Sequence, residues 1–201
     1  MKLFYAPGVC SLSPHIVACE AGINLGLQKV NLKTHELENG DDFTRISPKG
    51  YVPALQLEGG EVLTEGPAIV QFLAEQKPDA QLAPPVGTLA HYRLLEWLNF
   101  LSAEVHKLFK PLFWHGTEEE QEDSRVRLIR WFDYIEGQLD KDYLMGDGFT
   151  VADAYLYVLS RWLKHQQFDM PRWPRLQAFQ KRMEERPAVQ RALQEESLEP
   201  V

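Results

Sequence analysis

Two cysteines stand among the 201 residues, and only Cys10 occupies a position where sulfur could do chemistry. The run Lys2-Leu3-Phe4-Tyr5 reads as a short buried strand, and Ala6-Pro7-Gly8-Val9 breaks it. From Ser11 onward apolar residues return at helical spacing, with Leu12, Ile16 and Cys19 on one stripe. Cys10 therefore falls at a strand–loop–helix junction. Unpaired amides and the positive end of the helix dipole point there, and both favour a thiolate, its own or that of a bound ligand. The competing reading is a small buried hydrophobe. Cys19 takes that second reading, being about half a turn out of phase with Cys10 on a helix of 3.6 residues per turn. The two form neither a redox pair nor a metal clamp.

Three further patterns could hold a ligand. Val52-Pro53 opens a strand directly after the loop Pro48-Lys49-Gly50-Tyr51, the place where a proline is tolerated. If that bond is cis, the Val52 N–H and C=O can pair with a ligand as an added strand would; the alternative is an ordinary trans proline at an edge. In Thr64-Glu65-Gly66-Pro67, Thr64 can cap a helix and Pro67 sits in its first turn. The free amides of Glu65 and Gly66 then suit a carboxylate, and the Glu65 side chain suits an ammonium group. The alternative is that Glu65 only complements the helix dipole. Asn99, Ala103, His106 and Lys110 lie on one face of a helix, opposite Leu98, Leu101, Val105, Leu108 and Leu112. Asn99 and His106 are nearly eclipsed and could point at one ligand, although such a stripe usually just faces water. Thr150 and Asp153 read instead as a capping box, with Phe149 as its staple. The aromatics Trp97, Phe100, Trp114, Trp131, Tyr155, Tyr157 and Trp162 read as core or interface.

The elements that must position these groups divide at residues 78–87, which hold three prolines and a glycine and read as a linker. Before it come Lys2–Tyr5, the first helix, a strand at Gln28–Leu32, a strand at Val52–Leu57, a hairpin turn at Glu58–Glu61, a strand at Val62–Thr64 and a helix from Glu65 to Gln76. The order βαβ then ββα predicts a parallel pair with an antiparallel edge. After the linker everything is helical in pattern: Leu89–Trp114, Glu118–Gln138, Thr150–Lys164, Leu176–Arg186 and a tail at Ala188–Glu196. The expectation is an α/β domain at 1–77 and an all-α helical bundle at 88–201.

Composition narrows the class. With 44% hydrophobic residues the chain can bury a core without staples. Two cysteines argue against a disulfide framework and fit a reducing compartment. MKLFYAPG does not read as a signal peptide, and no apolar run approaches the roughly 20 residues of a membrane span. A net charge of −8 without a basic block argues against nucleic acid or an anionic membrane as main partner. The six histidines are scattered, with no Cys or carboxylate cluster at ligand spacing, so no metal is expected.

Taken together, the chain resembles the cytosolic glutathione transferases, and most closely their bacterial beta class. The resemblance rests on KLFYAPGVCSLSPHI at 2–16, LENGDDF at 37–43, SPKGYVPAL at 47–55, LTEGPAI at 63–69, EWLNFLSAEVHK at 96–107 and FTVADAYL at 149–156. It implies a thioredoxin-like first domain, a helical second domain and a cytoplasmic homodimer. It implies Cys10 near the glutathione sulfur, with His106 as a second polar group there. Val52, before Pro53, would pair with the cysteinyl backbone, and Tyr51 lies in the same matched segment. Glu65 and Gly66 would hold the γ-glutamyl end. Asn99 and the segment Ala103, Glu104, Val105 and His106 would approach from the helical domain, Glu104 reaching across the dimer. At position 35 the class often has a lysine for the glycyl carboxylate; here His35 makes that contact weaker and pH-dependent.

The function implied is detoxifying transfer. The glutathione thiolate attacks a hydrophobic electrophile in an apolar pocket between the domains, for which Leu108, Phe109, Leu112, Phe113 and Trp114 are candidates. Tyr5 and Ser11 are hydroxyl donors that could back up the thiolate. One rival is thiol–disulfide exchange through a Cys10 mixed disulfide, with Ser13 of the C-x-x-S run replacing a resolving thiol. Another is a non-enzymatic interaction module of the same fold.

Overall fold

The computed structural model describes every residue from Met1 to Val201. The chain divides into two compact units, one of Met1–Ala83 with Arg186–Pro200, the other of Pro84–Glu185 with Val201.

The first unit is built on four strands, β1 (Lys2–Tyr5), β2 (Gly26–Lys29), β3 (Ala54–Gln56) and β4 (Val62–Thr64). Their order across the sheet is β2-β1-β3-β4; β1 and β2 are the parallel pair the sequence predicts, and the other pairs are antiparallel. The second strand begins earlier than its alternating residues suggest, and Val30 contributes only an isolated bridge to Leu37. Helix α1 (Leu12–Glu20) joins the parallel strands, and α2 (Gly66–Glu75) follows β4. Leu12, Ile16 and Val17 of α1 are fully buried, as are Ile69 and Leu73 of α2. Phe4, Ala6, Val30, Phe43, Val52 and Ala54 form a second apolar cluster.

The second unit holds α3 (Leu89–Phe100), α4 (Lys110–Phe113), α5 (Glu118–Gln138), α6 (Val151–His165) and α7 (Pro174–Glu184). The stretch read as one helix from Leu89 to Trp114 is not uniform. After Phe100 it widens into a π turn at Leu101–Val105 and then tightens into a 3₁₀ turn at His106–Phe109. The capping box forms as expected: the Asp153 carboxylate accepts from the Thr150 N–H at 2.8 Å and from the Leu144 N–H at 2.9 Å. No helix is long and apolar enough to cross a membrane.

The last helix, α8 (Pro187–Glu195), corrects the domain expectation. The sequence pattern assigns 88–201 to the helical domain, but residues 186–200 pack with the first unit, α8 against α1. Polar contacts hold it there. Arg186 pairs with Glu20 across two hydrogen bonds, and the Glu196 carboxylate accepts from the Gly8 N–H at 2.9 Å.

Candidate active site

Cys10 stands just before α1, as its position in the sequence predicts. Its Sγ donates to the Val52 carbonyl at 3.3 Å. The Val52–Pro53 peptide is cis. Burial pushes the Cys10 thiol up to about 12, aided by the charges of Glu65 and Glu196; hydrogen bonding from the Cys10 and Ser11 amides pulls the other way without prevailing. Cys10 is thus a neutral S–H donor at neutral pH. The helix N-terminus does not make it a thiolate, because desolvation is the larger effect.

The backup donors expected beside it differ in availability. Ser11 is buried, and its hydroxyl donates to the Ala6 carbonyl at 3.1 Å while accepting from the Ala6 N–H at 3.2 Å. It is spent on the turn that ends β1. Ser13 is also buried, with its hydroxyl unpartnered, so it cannot replace a resolving thiol at the surface. Tyr5 is half-buried, and its hydroxyl is pushed up by burial and by the negative charges of Glu196, Glu38 and Glu195.

Glu65, rather than the expected Thr64, is the N-cap of α2, and no side chain caps the helix. Its backbone is at φ 70°, a left-handed conformation costing a non-glycine residue about 1–3 kcal/mol. The first amide of the turn to be tied back is that of Ala68, which bonds to the Glu65 carbonyl. The Glu65 and Gly66 amides precede it, and Pro67 has none. The Glu65 carboxylate already has an ammonium partner, Lys49, whose Nζ is 2.7 Å from Oε1 and 3.0 Å from the Thr64 hydroxyl. Lys49 was absent from the sequence-derived candidates; its place in SPKGYVPAL was the available signal. His35, also at positive φ, lies against Gly50, and its Nδ1 is buried without a partner. A Cβ on Gly50 would come 3.0 Å from the His35 ring. Tyr51, the residue after Gly50, is 72% exposed.

In the second unit, Asn99 and His106 do not share a polar stripe. The π turn between them adds a residue to that turn of helix, so the heptad spacing no longer aligns them. Asn99 is exposed and donates to the Leu95 carbonyl at 2.8 Å, while Ala103 and Glu104 are exposed and Val105 is buried. His106 is half-buried. Its Nδ1 shares a 2.7 Å hydrogen bond with the Tyr155 hydroxyl, and its ring packs 5.0 Å from that of Trp162. Burial, with the charge of Lys107, pushes its pKa down to about 4. It is a neutral imidazole at pH 7. Of the apolar residues expected to line a pocket, Leu108 and Phe109 belong to this unit's own core. Leu112 and Phe113 are half-buried, and Trp114 is exposed.

One region matches the family description "Glutathione S-transferase, N-terminal domain" over residues 9–76, and another matches "Glutathione S-transferase, C-terminal domain" over 100–187. Glutathione S-transferase GstA of Escherichia coli O157:H7 is 45% identical over 200 residues, covering 98% of this chain and all of that protein. The chain belongs to the glutathione S-transferase family. Among solved structures, a bacterial beta class glutathione S-transferase of Sphingomonas chungbukensis shares 45% identity at a TM-score of 0.96, covering 99% of this chain and 100% of the other. A sphingomonad glutathione S-transferase complexed with glutathione shares 42% identity at a TM-score of 0.95, with the same coverage. The first unit is thus the thioredoxin-like half of a glutathione S-transferase fold, and the second its helical half.

Proposed function

We propose that this chain conjugates the thiolate of glutathione to hydrophobic electrophiles, with Cys10 as a hydrogen-bond donor to that thiolate rather than as a nucleophile. The observation that carries this reading is the position of the Cys10 S–H at the start of α1, 3.3 Å from the Val52 carbonyl; burial favours its protonated form, and it turns from Val52 to donate to a bound thiolate. A free thiol is only a few per cent ionised at pH 7. A neutral S–H beside helix N-terminal amides stabilises the ionised form of an incoming thiol. The thiolate then forms a C–S bond to the electrophile. The leaving group departs with its electron pair, and the thiol proton passes to solvent. Thiol exchange would instead need Cys10 itself as a thiolate, which burial opposes.

Val52 and the cis-Pro53 segment are proposed to pair with the cysteinyl backbone. Glu65 and Gly66 are proposed to hold the γ-glutamyl end, whose ammonium displaces Lys49 from Glu65. His35 and Tyr51 are assigned to the glycyl end. On the second unit, Asn99, Ala103, Glu104, Val105 and His106 are assigned to the ligand on the family's pattern, His106 as a neutral hydrogen-bonding group. A homodimer in the cytoplasm is the proposed setting. The exposed Leu89, Tyr92 and Tyr134 on α3 and α5 support a partner surface. A solution mass of 23.2 kDa, that of a single chain, would reject the dimer.

The test of the function is calorimetric titration of reduced glutathione, followed by conjugation to a chlorinated nitroaromatic. Saturable binding weakened by Glu65→Ala, with turnover, is the expected result. No heat at cellular glutathione levels, together with no conjugation, would overturn it.

A further inference from the structure

The sequence analysis expects no metal, yet the fold brings three donors of different kinds together. His15 and Cys19 are four residues apart on one face of α1, and the returning helix α8 adds Glu195. One ligand atom from each lies within 4.8 Å of the others. They border a cavity of about 290 Å³ whose apolar wall includes Ile23, Leu25 and Leu27. We propose that His15, Cys19 and Glu195 form a binding site for a divalent cation of the zinc type, which clamps α8 onto α1.

Imidazole, thiolate and carboxylate are the donors zinc takes, and three protein ligands leave a fourth position for water from the cavity. The donors are already oriented. His15 Nδ1 is bonded to the buried Glu196 carboxylate at 2.9 Å, which leaves Nε2 for the cation. Glu195 Oε1 is held by Arg191 at 2.8 Å, which leaves Oε2, now 2.7 Å from His15 Nε2. Such outer partners fix ligand orientation in metal sites. The charges also balance. The cation and Arg191 together offset the Cys19 thiolate, Glu195 and Glu196. On binding, the cation replaces the proton between His15 Nε2 and Glu195 and the proton of the Cys19 thiol, and both leave to solvent.

The test is titration of the chelator-treated, reduced protein with cobalt(II), which reports a thiolate ligand by a charge-transfer band in the near ultraviolet. One equivalent per chain is expected, displaced by zinc, retained in Cys10→Ser and lost in Cys19→Ser. Glu195→Gln should weaken binding by about tenfold or more. In the wild-type chain, zinc should also protect Cys19 from alkylation by iodoacetamide, read by peptide mass; this decides the matter should Cys19→Ser fail to fold. No band at millimolar cobalt, a band that survives in Cys19→Ser, or alkylation of Cys19 at one rate with and without zinc would each overturn the proposal.

Discussion

Lys49 holds Glu65, its Nζ 2.7 Å from the carboxylate and both side chains largely exposed. In the binding mode proposed above, a ligand ammonium competes with one the protein supplies. Exposed pairs of this kind are worth about 0–1 kcal/mol, so the competition is mild. Lys49→Gln is expected to lower the KM for glutathione by no more than about fivefold, with kcat unchanged, whereas Glu65→Ala should raise it. A higher KM in Lys49→Gln would mean that the lysine helps binding and would sink this reading.

Cys10 supplies a second expectation. As a donor to a ligand thiolate its replacement by alanine should slow conjugation by about 10- to 100-fold, the worth of a hydrogen bond to a charged group. Cys10→Ser keeps a donor and should retain most of the rate. Steady-state kinetics on the two variants separate this role from nucleophilic catalysis, in which the serine variant would be as inactive as the alanine one.

His106 predicts a pH dependence with a definite sign. Its folded pKa of about 4 lies below the ordinary imidazole value of about 6.5. As pH falls through that interval the unfolded chain takes up the proton first, so stability from this residue is present above about 6.5 and lost towards about 4. Urea midpoints measured across that range should fall less steeply in His106→Gln than in the wild type. Parallel slopes would show that His106 is not the group responsible.

Asp153 accepts from three donors in a buried setting, two of them on Thr150 and one on Leu144. Asp153→Ala removes the cap of α6 and strands those donors. A loss of about 2–3 kcal/mol is expected from equilibrium unfolding. A change under half a kilocalorie would contradict the account.

Much of this architecture could be read from residue patterns, and the failures have specific causes. The strands and α5 announce themselves by period, and the Thr150–Asp153 box by spacing. The π turn after Phe100 leaves no mark in apolar periodicity, because Leu101, Val105 and Leu108 keep facing inward through it. That hid the separation of Asn99 from His106. The amphipathic pattern of α8 states that it buries a face but not against which unit. The contact of His15 with Glu195 spans 180 positions, beyond any local signal. The i, i+4 relation of His15 and Cys19 was legible, but it becomes a cluster only when α8 returns.

The return of α8 also sets an order of events during synthesis. A chain growing from its N-terminus has the whole of Pro84–Glu185 available before it has Arg186–Pro200. The segment that begins first, with β1 and α1, is therefore the last to gain all its partners. Until α8 has been made, His15 and Gly8 lack Glu196, and the face of α1 that α8 covers stays open to solvent. Vectorial synthesis usually completes the N-terminal unit first. Here the whole of Pro84–Glu185 is made before the first unit receives the segment that covers α1.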